Sequence, residues 1–538
     1  MSIRKKRLAK AALVILLVGA PFLVYLLWPI RTAETIMQAD PALMPGKKSY
    51  LGETRAEPAQ PHPNVIILFA DDLGKYDISL YGGKDVPTPS IDALAHSGVT
   101  FTNGYCTSPI CSPSRAGLLT GRYQQRFGHE LQPGDAYLPN RLAILLAQTF
   151  VFTGQWRLED AKPYPTRESQ ASQGMRQSEL TFAEMAKTQG YATAIIGKWH
   201  LGHGTGLTPQ ERGFDNFYGF IGGASPYSLP DTPGIEYLWH DHVADIFGRF
   251  VQRGGLRAIQ RNGEVIEEHG YLTTRFAEES CAFIEKNKDE PFVLYVPFNA
   301  PHEPFQAPTK YFDRFEHVQD RNKRIYYAMI SALDDAVGDI VKQVQDLGLE
   351  EKTIIFFISD NGGATHTEAT TNAPLKGGKL NQFEGGVNVP FVMSWPGTIP
   401  PNTTYDGLVS TLDVFTTMAA NMHARLPQDR QYDGVDLVHK VLKQEPAREA
   451  LFWRSGSAKG VRKGDWKLVI SERTDKAWLY NLAEDISEST DLSQDKPEIL
   501  EELRSALEEW EEGLIQPLWP SNAYSQERFG DDWYIFDM

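Results

Sequence analysis

Four short apolar segments along the chain have the composition of strands that are buried on both faces. They cover residues 65–70, 192–196, 292–296 and 354–359, and they are rich in β-branched and aromatic side chains. Apolar runs of this length, without alternating polar residues, are typical of the inner strands of a parallel sheet. The pattern therefore predicts that the four segments lie in one sheet.

Helical patterns separate these segments. Thr181 and Glu184 form a capping-box sequence, which predicts a helix that begins there and ends at Gly190. Residues 321–347 place apolar side chains at helical spacing and are followed by Gly348. Strands that alternate with helices predict an α/β fold, in which helices cover both sides of a large, mostly parallel sheet.

The pattern changes after about residue 400. Short strand-like segments at 451–453, 466–470 and 478–480 are followed by a helical pattern from about 497 to 513. This succession predicts a smaller α+β domain at residues 401–538, in which a helix packs against an antiparallel sheet. The larger sheet domain is expected at residues 64–400.

The N-terminal residues have the pattern of a targeting segment. Basic residues at positions 4–7 and 10 precede twenty uncharged residues at 11–30, and Arg31 follows. Residues 1–31 are therefore predicted to be a signal peptide or an uncleaved membrane anchor, which places the remainder in the periplasm or outside the cell. The length of the segment and the lack of a clear small-x-small cleavage site favour the anchor. Residues 32–63, rich in Pro, Ala and polar residues, are predicted to be a linker.

Charge and cysteine content exclude some classes of protein. The chain of 538 residues has a formal net charge of −16, which argues against a general nucleic-acid-binding protein. An anionic substrate would need a local basic pocket. The three cysteines Cys106, Cys111 and Cys281 cannot all pair, so the chain is not a disulfide scaffold.

Polar side chains follow each of the four apolar segments. They are Asp71 and Asp72, Lys198 and His200, His302, and Asp360 and Asn361. Ligands of α/β sheets bind beyond the carboxyl ends of the strands, so we expect these side chains at one edge. A single acidic pair is more often a solvated turn or a helix cap. Two such pairs at one edge favour a site for Ca²⁺ or Mg²⁺, which prefer hard oxygen ligands.

The stretch from Cys111 to residue 122 has the features of a helix start. Ser112 is a good N-cap and a proline follows it, which predicts a helix over residues 113–119 that ends near Gly121. Cys111 would then lie just outside a helix N-terminus, with Arg115 one turn further on. This arrangement predicts an anion site with a sulfur atom at its centre. The alternative is a helix start next to a buried free cysteine.

This stretch resembles the signature of the sulfatase family, Cys-x-Pro-x-Arg followed by Leu-Thr-Gly-Arg, without a break over its twelve positions. In that family a dedicated formylglycine-generating or anaerobic maturating enzyme oxidises the cysteine to formylglycine. The resemblance implies the same modification of Cys111 and the fold of the alkaline phosphatase superfamily. Cys106 lacks the Pro and Arg at the required offsets and is expected to be structural.

The resemblance extends over residues 64–500 and implies a role for each candidate. The residues implied as ligands of one Ca²⁺ ion are Asp71, Asp72, residue 111, Asp360 and Asn361. The residues implied in catalysis are Arg115, Lys198 and Lys379 for the shifting negative charge, His302 as the acid for the leaving alcohol, and His200 as the group that assists sulfate release. One hydroxyl of the aldehyde hydrate would attack sulfur, and the other would allow sulfate to leave. An unmodified thiol could not complete this cycle.

These features predict an exported, arylsulfatase-like hydrolase that acts on sulfated carbohydrate, tethered to the membrane if residues 11–30 are retained. Two alternatives stay open. One is a phosphodiesterase or phosphonate hydrolase of the same superfamily. The other is a non-catalytic sulfoglycan-binding protein, if Cys111 is never oxidised.

Three further features bear on specificity. Many relatives have a basic residue where this chain has Asn388, and residues 141–178 replace a connection that is often short. The long connection is expected to form a wall of the substrate site. The four arginines spaced four residues apart are Arg249, Arg253, Arg257 and Arg261. They could line a channel for a polyanionic glycan or form a solvated basic loop.

Overall fold

The computed structural model describes residues 20–34, 36–53, 62–134, 138–150, 154–159, 163–229, 231–238 and 253–538. The strands are β1 Thr32–Ala33, β2 Asn64–Asp71, β3 Val99–Phe101, β4 Gly104–Tyr105, β5 Trp156–Leu158, β6 Tyr164–Pro165, β7 Ala192–Lys198, β8 Asn216–Phe220, β9 Ile235–Leu238, β10 Gln260–Arg261, β11 Glu264–Val265, β12 Phe292–Pro301, β13 Phe305–Pro308, β14 Thr353–Ser359, β15 Phe391–Ser394, β16 Thr403–Tyr405, β17 Val409–Ser410, β18 Ala450–Ser455, β19 Ala458–Lys463, β20 Trp466–Ser471, β21 Lys476–Asn481, β22 Ala523–Phe529 and β23 Asp532–Asp537. The α-helices are α1 Ala20–Leu27, α2 Met44–Gly52, α3 Pro89–His96, α4 Cys111–Thr120, α5 Arg141–Phe150, α6 Arg167–Ser172, α7 Phe182–Thr188, α8 Leu272–Lys286, α9 Thr309–Phe312, α10 Arg321–Asp346, α11 Glu384–Val387, α12 Leu412–Asn421, α13 Leu437–Lys443 and α14 Pro497–Glu511.

Among these described residues, a ten-stranded sheet has the order β11-β10-β8-β7-β12-β2-β14-β15-β3-β16. The four apolar segments are its neighbouring strands β7, β12, β2 and β14. Each pair of neighbours from β8 to β14 is parallel. Antiparallel pairs occur only on the flanks, at β15 and β10. The predicted α/β fold with a mostly parallel sheet is therefore confirmed.

Both faces of the sheet are covered, as the unbroken apolar runs predict. In β2, Val65, Ile67 and Phe69 belong to one hydrophobic cluster, whereas Ile66 and Leu68 belong to another. All five are fully buried. Successive side chains of a strand point to opposite faces, so both sets are buried only because helices cover both sides. Helices α4, α7 and α12 contribute to the first cluster, and α8 and α10 contribute to the second.

Two predicted helices, α7 and α10, begin where residues close in sequence predict that they do. The hydroxyl of Thr181 accepts a hydrogen bond from the backbone N–H of Glu184 at 3.0 Å, and the Glu184 carboxylate accepts one from the N–H of Thr181 at 2.9 Å. This capping box opens α7 as predicted. The pattern at residues 321–347 corresponds to α10, whose N-terminus is capped by Asp320.

Helix α4 differs from its predicted start. It begins at Cys111 and is preceded by Ile110, so Ser112 is not its N-cap. The hydroxyl of Ser112 lies instead 2.7 Å from Nε2 of His129, a partner 17 residues away. Cys111 thus lies in the first turn of the helix and not outside it. The predicted end is correct, because Gly121 has the left-handed conformation, with φ of 65°.

The C-terminal segments form a second, smaller sheet. Strands β18 to β21 are successive antiparallel neighbours, and α14 packs on β19 and β20 through the buried Leu503 and Leu507. The predicted antiparallel sheet with a helix is therefore confirmed. Before it, β16 pairs with β3, and α12 and α13 contribute to a cluster of the large sheet. Strand β5, from the long connection at 141–178, joins the C-terminal hairpin of β22 and β23.

Part of the segment predicted as a linker packs on the large domain. Strand β1 pairs with β6, and α2 carries the buried Lys47. The Nζ atom of Lys47 donates to the carbonyl oxygens of Gln177 at 2.7 Å and Glu179 at 2.8 Å. It also lies 2.6 Å from a carboxylate oxygen of Glu184.

The targeting segment predicted at residues 1–31 falls mostly outside the described residues, which begin at residue 20. In the part of the chain that the structure describes, none of the helices has the length and apolar character needed to cross a bilayer.

The buried central strand leads to a prediction about stability. We expect Leu68→Ala to lower the free energy of unfolding by roughly 2–5 kcal/mol, because the change removes buried apolar surface and leaves a cavity. Leu442 is 48% exposed and provides a matched control, for which Leu442→Ala should cost less than about 0.5 kcal/mol. Denaturant titration followed by tryptophan fluorescence measures both values. Equal losses at the two positions would contradict the assignment of β2 to the core.

Candidate active site

Side chains at the ends of four neighbouring strands meet in one buried cluster. Asp71 is the last residue of β2 and Lys198 is the last residue of β7. Asp360 directly follows β14, and His302 directly follows β12. Because these strands are parallel, their carboxyl ends lie at the same edge of the sheet. Helix α4 brings Cys111 to this edge, where its Sγ lies 3.4 Å from Oδ1 of Asp71.

One half of the cluster is organised around Arg115. Its Nε and Nη2 atoms donate to Oδ2 of Asp360 at 3.1 and 2.7 Å, and Nη2 lies 3.4 Å from Oδ1 of Asp71. The Nζ atom of Lys198 lies 2.7 Å from Oδ2 of Asp71. None of these four side chains is exposed to solvent. Buried charges are tolerated when they are paired in this way.

The other half is organised around Asp72, whose backbone has a left-handed φ of 63°. Its N–H donates to Oδ1 of Asp360 at 3.2 Å, which joins the two halves. The Nζ atom of Lys379 lies 2.8 Å from Oδ2 of Asp72 and 3.0 Å from Nε2 of His302. The Nδ2 atom of Asn361 donates to Oδ1 of Asp72 at 2.7 Å. The cluster therefore brings together all the candidates predicted for the site except His200, which is described below.

The residues of the cluster fit a divalent cation. Ligand atoms of Asp71, Asp72, Cys111 and His302 all lie within 4.8 Å of one another. The Oδ1 atom of Asn361 is buried and has no hydrogen-bond partner among the described residues. Carboxylate oxygens together with an amide oxygen left without a donor are the ligands that hard cations prefer. His302 belongs to this group, although the sequence points to it only as an acid.

The balance of charge in the cluster favours an anionic substrate. The carboxylates of Asp71, Asp72 and Asp360 are matched in number by the cationic groups of Arg115, Lys198 and Lys379. These residues are the charged groups at the centre of the cluster. A bound divalent cation would leave an excess of positive charge, which attracts an anion strongly where water is excluded.

Burial and neighbouring charges set the protonation of two groups. Burial opposes the ionisation of Asp71, but Lys198, His302 and Arg115 together outweigh it and lower the pKa of Asp71 to about 2. Burial raises the pKa of the Cys111 thiol well above its usual value, although Lys198 and Lys379 act against it. Unmodified Cys111 is therefore a neutral thiol, whereas reactive cysteines have a lowered pKa.

The two candidate histidines differ in their surroundings. Burial and the nearby Lys198 and Arg115 lower the pKa of His200 well below its usual value, so its imidazole is neutral. Its Nδ1 atom is buried without a hydrogen-bond partner in the part of the chain described. In His302, Nδ1 lies 2.5 Å from the carbonyl oxygen of Glu303, which leaves Nε2 to face the cluster.

Sequence reasoning missed Lys75, a buried residue that contacts Asn388 and whose pKa is lowered by burial to about 7. The Nζ atom of Lys75 is buried and donates to Oδ1 of Asn388 at 2.8 Å. Asn388 in turn donates from Nδ2 to a carboxylate oxygen of Glu384 at 2.8 Å. The only signal in the sequence is that Lys75 lies four residues after Asp71, in the loop that follows β2.

Two of the four arginines spaced four residues apart, Arg253 and Arg261, contact different parts of the protein. Arg253 donates from Nε and Nη2 to the carbonyl oxygens of Pro226 at 3.0 Å and Tyr227 at 2.6 Å. Arg261 lies 2.6 Å from the carboxylate of Glu279. These contacts are structural and do not support a glycan channel. Arg249 lies outside the described residues.

Comparison with known proteins identifies the family of this chain. A family model described as Sulfatase matches residues 63–424. The N-acetylgalactosamine-6-sulfatase of Mus musculus is 31% identical over 454 residues, which cover 82% of this chain and 77% of that protein. The arylsulfatase G of Rattus norvegicus is 30% identical over 508 residues, which cover 84% and 86%. A crystal structure of Ps i-CgsB in complex with k-i-k-neocarrahexaose has a TM-score of 0.71 and 28% identity, and the match covers 85% of this chain and 94% of that one. The chain belongs to the sulfatase family of sulfuric ester hydrolases.

Proposed function

We propose that this sulfatase removes sulfate from carbohydrate through a formylglycine made from Cys111, with one Ca²⁺ ion at the carboxylate cluster. The observation that supports this most directly is the position of residue 111. Its sulfur lies 3.4 Å from Asp71 and within the 4.8 Å group of candidate ligands. A hydroxyl at the same place would lie next to both the metal ligands and the cationic side chains.

The modification supplies chemistry that the cysteine lacks. A hydrated formylglycine has two hydroxyl groups, one to bond to sulfur and one to drive the later loss of sulfate. The raised pKa of the Cys111 thiol supports the need for this change, because a neutral thiol is a poor nucleophile. The modification depends on a maturating enzyme of the host.

The proposed residues for Ca²⁺ are Asp71, Asp72, Asp360, Asn361 and residue 111. The ion would supply positive charge that polarises a sulfate oxygen and lowers the pKa of a bound hydroxyl. Ca²⁺ is preferred to Mg²⁺ because the family resembled by the signature uses calcium. The orphaned Oδ1 of Asn361 supports an ion with an oxygen-rich shell.

Three cationic side chains would hold the sulfate group. Arg115, Lys198 and Lys379 each contact a carboxylate of the cluster in the absence of substrate. A lysine ammonium has three N–H donors, so Lys198 and Lys379 can bind a sulfate oxygen while they keep their carboxylate contacts. Fixed positive charge in a buried site stabilises the negative charge that moves as the S–O bond breaks.

Two histidines would move protons. His302 would face the leaving alcohol with Nε2, because its Nδ1 is occupied by the carbonyl oxygen of Glu303. To act as the acid, Nε2 would have to take up a proton and exchange its contact with the Lys379 ammonium for one with the leaving oxygen. His200 would accept a proton when sulfate is released, which requires the neutral imidazole that its lowered pKa provides. The two roles are opposite, because His302 would give a proton and His200 would take one.

A carbohydrate substrate is supported by the names of the relatives. One relative is named for the 6-sulfate of N-acetylgalactosamine, and Ps i-CgsB was crystallised with a neocarrahexaose. The phosphoesterase alternative is not favoured, because the matched family and relatives are sulfatases. The sulfoglycan-binding alternative would require a cysteine that stays unmodified. Export through the N-terminal segment stays a prediction.

The modification is tested by mass spectrometry of the peptide that contains residue 111. We expect formylglycine in protein produced with a maturating enzyme, and turnover of 4-nitrophenyl sulfate far above that of 4-nitrophenyl phosphate. Cys111→Ala should abolish turnover, whereas Cys281→Ala, at a half-exposed position, should not. Full activity from protein that contains only cysteine at position 111 would refute the proposal.

The metal site is tested by Asp360→Ala. Loss of this carboxylate should abolish Ca²⁺ binding in calorimetry and lower kcat by at least about 100-fold, because Arg115 and the N–H of Asp72 lose their shared acceptor. Asp531→Asn, at a fully exposed position, is the control. Chelation should remove activity and added Ca²⁺ should restore it. Unchanged turnover in a folded Asp360→Ala protein would exclude this residue from the site.

The acid role of His302 is tested with two leaving groups. His302→Gln should lower kcat/KM for a sugar sulfate by about 100-fold or more, because a sugar alkoxide needs a proton as it leaves. The loss for 4-nitrophenyl sulfate should be much smaller, since nitrophenolate leaves without protonation. His269→Gln changes an exposed histidine and serves as the control. Losses of equal size for both substrates would mean that His302 does not act as the acid.

A further inference from the structure

Three loops that hold catalytic candidates continue into a second cluster of side chains. Glu303 directly follows His302, His366 lies on the loop after β14, and Asn381 lies two residues after Lys379. The second cluster is therefore attached to the catalytic one through the backbone. None of its side chains has a role in the reaction described above.

The contacts within this cluster connect four parts of the fold. The Nε2 atom of His366 lies 3.6 Å from Oε1 of Glu303. The ring of Trp156 stands edge-on to the His366 imidazole, with the centroids 5.3 Å apart and the planes at 83°. Asn381 donates from Nδ2 to Oε2 of Glu527 at 3.1 Å. Trp156 is in β5, which pairs with β22, the strand of Glu527, so the long connection and the C-terminal hairpin are fixed together.

We propose that Trp156, Glu303, His366 and Glu527 form a subsite for the sugar ring next to the sulfate that is removed. This inference rests on the proposed function. An indole offers an apolar face to the C–H groups of a sugar, and a carboxylate accepts hydrogen bonds from its hydroxyls. Trp156 and Glu527 keep part of their surface exposed and would contact the sugar. The side chains of Glu303 and His366 are buried and would hold Trp156 in place from behind.

The position of the cluster assigns it to the leaving group and not to the sulfate. His302 would protonate the leaving oxygen, and the backbone carbonyl of Glu303 contacts Nδ1 of His302. Lys379, which contacts Nε2 of His302, lies two residues before Asn381, which holds Glu527, so the second cluster continues from the side of the site where the leaving alcohol would be protonated. The long connection at 141–178 contributes Trp156 to this wall, so the subsite depends on a part of the chain that relatives often lack.

The charge of the cluster defines the class of sugar. Glu527 places a carboxylate in the wall and the buried Glu303 places a second one behind it, whereas the sulfate side of the site is rich in cationic groups. A carboxylate accepts hydrogen bonds from hydroxyl or ammonium groups and repels another anion. The subsite therefore takes a neutral or amino sugar and discriminates against a uronate.

The test compares a substrate without a sugar with substrates that have one. The probes are 4-nitrophenyl sulfate and monosulfated galactose, glucosamine and glucuronic acid, with the sulfate at each position. Wild-type kcat/KM should be higher for galactose or glucosamine sulfates than for glucuronate sulfates. Trp156→Ala should lower the ratio of sugar to 4-nitrophenyl kcat/KM by about tenfold, mainly through KM. Trp156→Phe should recover most of this ratio because it keeps an aromatic face.

Matched controls come from the same hairpin. Trp533 is on β23 and is 48% exposed, so Trp533→Ala should leave the ratio unchanged. Glu527→Gln should reduce the discrimination against glucuronate sulfates, whereas the exposed Asp531→Asn should not.

Several outcomes would overturn the subsite. They are an unchanged ratio in Trp156→Ala, a wild-type preference for glucuronate sulfates, and turnover of 4-nitrophenyl sulfate without turnover of any sugar sulfate. All three outcomes are compatible with an enzyme that hydrolyses sulfate esters. A wild-type enzyme bearing formylglycine that fails to hydrolyse 4-nitrophenyl sulfate and every sugar sulfate would overturn the proposed function together with the subsite.

Discussion

Mutual neutralisation of buried charges is the constraint on which the architecture of this sulfatase depends. Arg115 contacts both Asp71 and Asp360, and so ties helix α4 to the ends of β2 and β14. An isolated ion at these depths would cost several kcal/mol, so each partner is needed to keep the others in place. The apolar strands can end in carboxylates only because lysines and an arginine reach the same point from other elements. The charged side chains of the candidate active site therefore also hold helix α4 against strands β2 and β14.

Features with a local signal could be predicted from the sequence. The inner strands follow from their unbroken apolar runs, and α7 follows from the Thr181 and Glu184 capping box. The edge at which the candidate residues meet follows from parallel strands alone. In each case the interacting residues are close in sequence or repeat with a simple period, which is why pattern analysis succeeds.

Features that depend on distant partners could not be predicted. Ser112 has the identity of an N-cap, but His129 takes its hydroxyl and the helix begins earlier. Lys75 contacts Asn388 across more than 300 residues, and Glu384 is paired with Lys467 from the C-terminal sheet, and no local motif predicts either contact. The contact between Trp156 and His366 in the proposed subsite is a similar case, because the two residues are 210 positions apart.

The buried Lys47 has a consequence for where the folded unit starts. The family match begins at residue 63, yet the ammonium group of Lys47 binds two carbonyl oxygens and the Glu184 carboxylate of the large domain. A recombinant protein trimmed to the homology boundary would remove the Lys47 donor from these acceptors, and Arg212 would remain as the cationic partner of Glu184. The segment that carries Lys47 is therefore part of the folded enzyme. The folded unit begins before residue 63, where the family match begins.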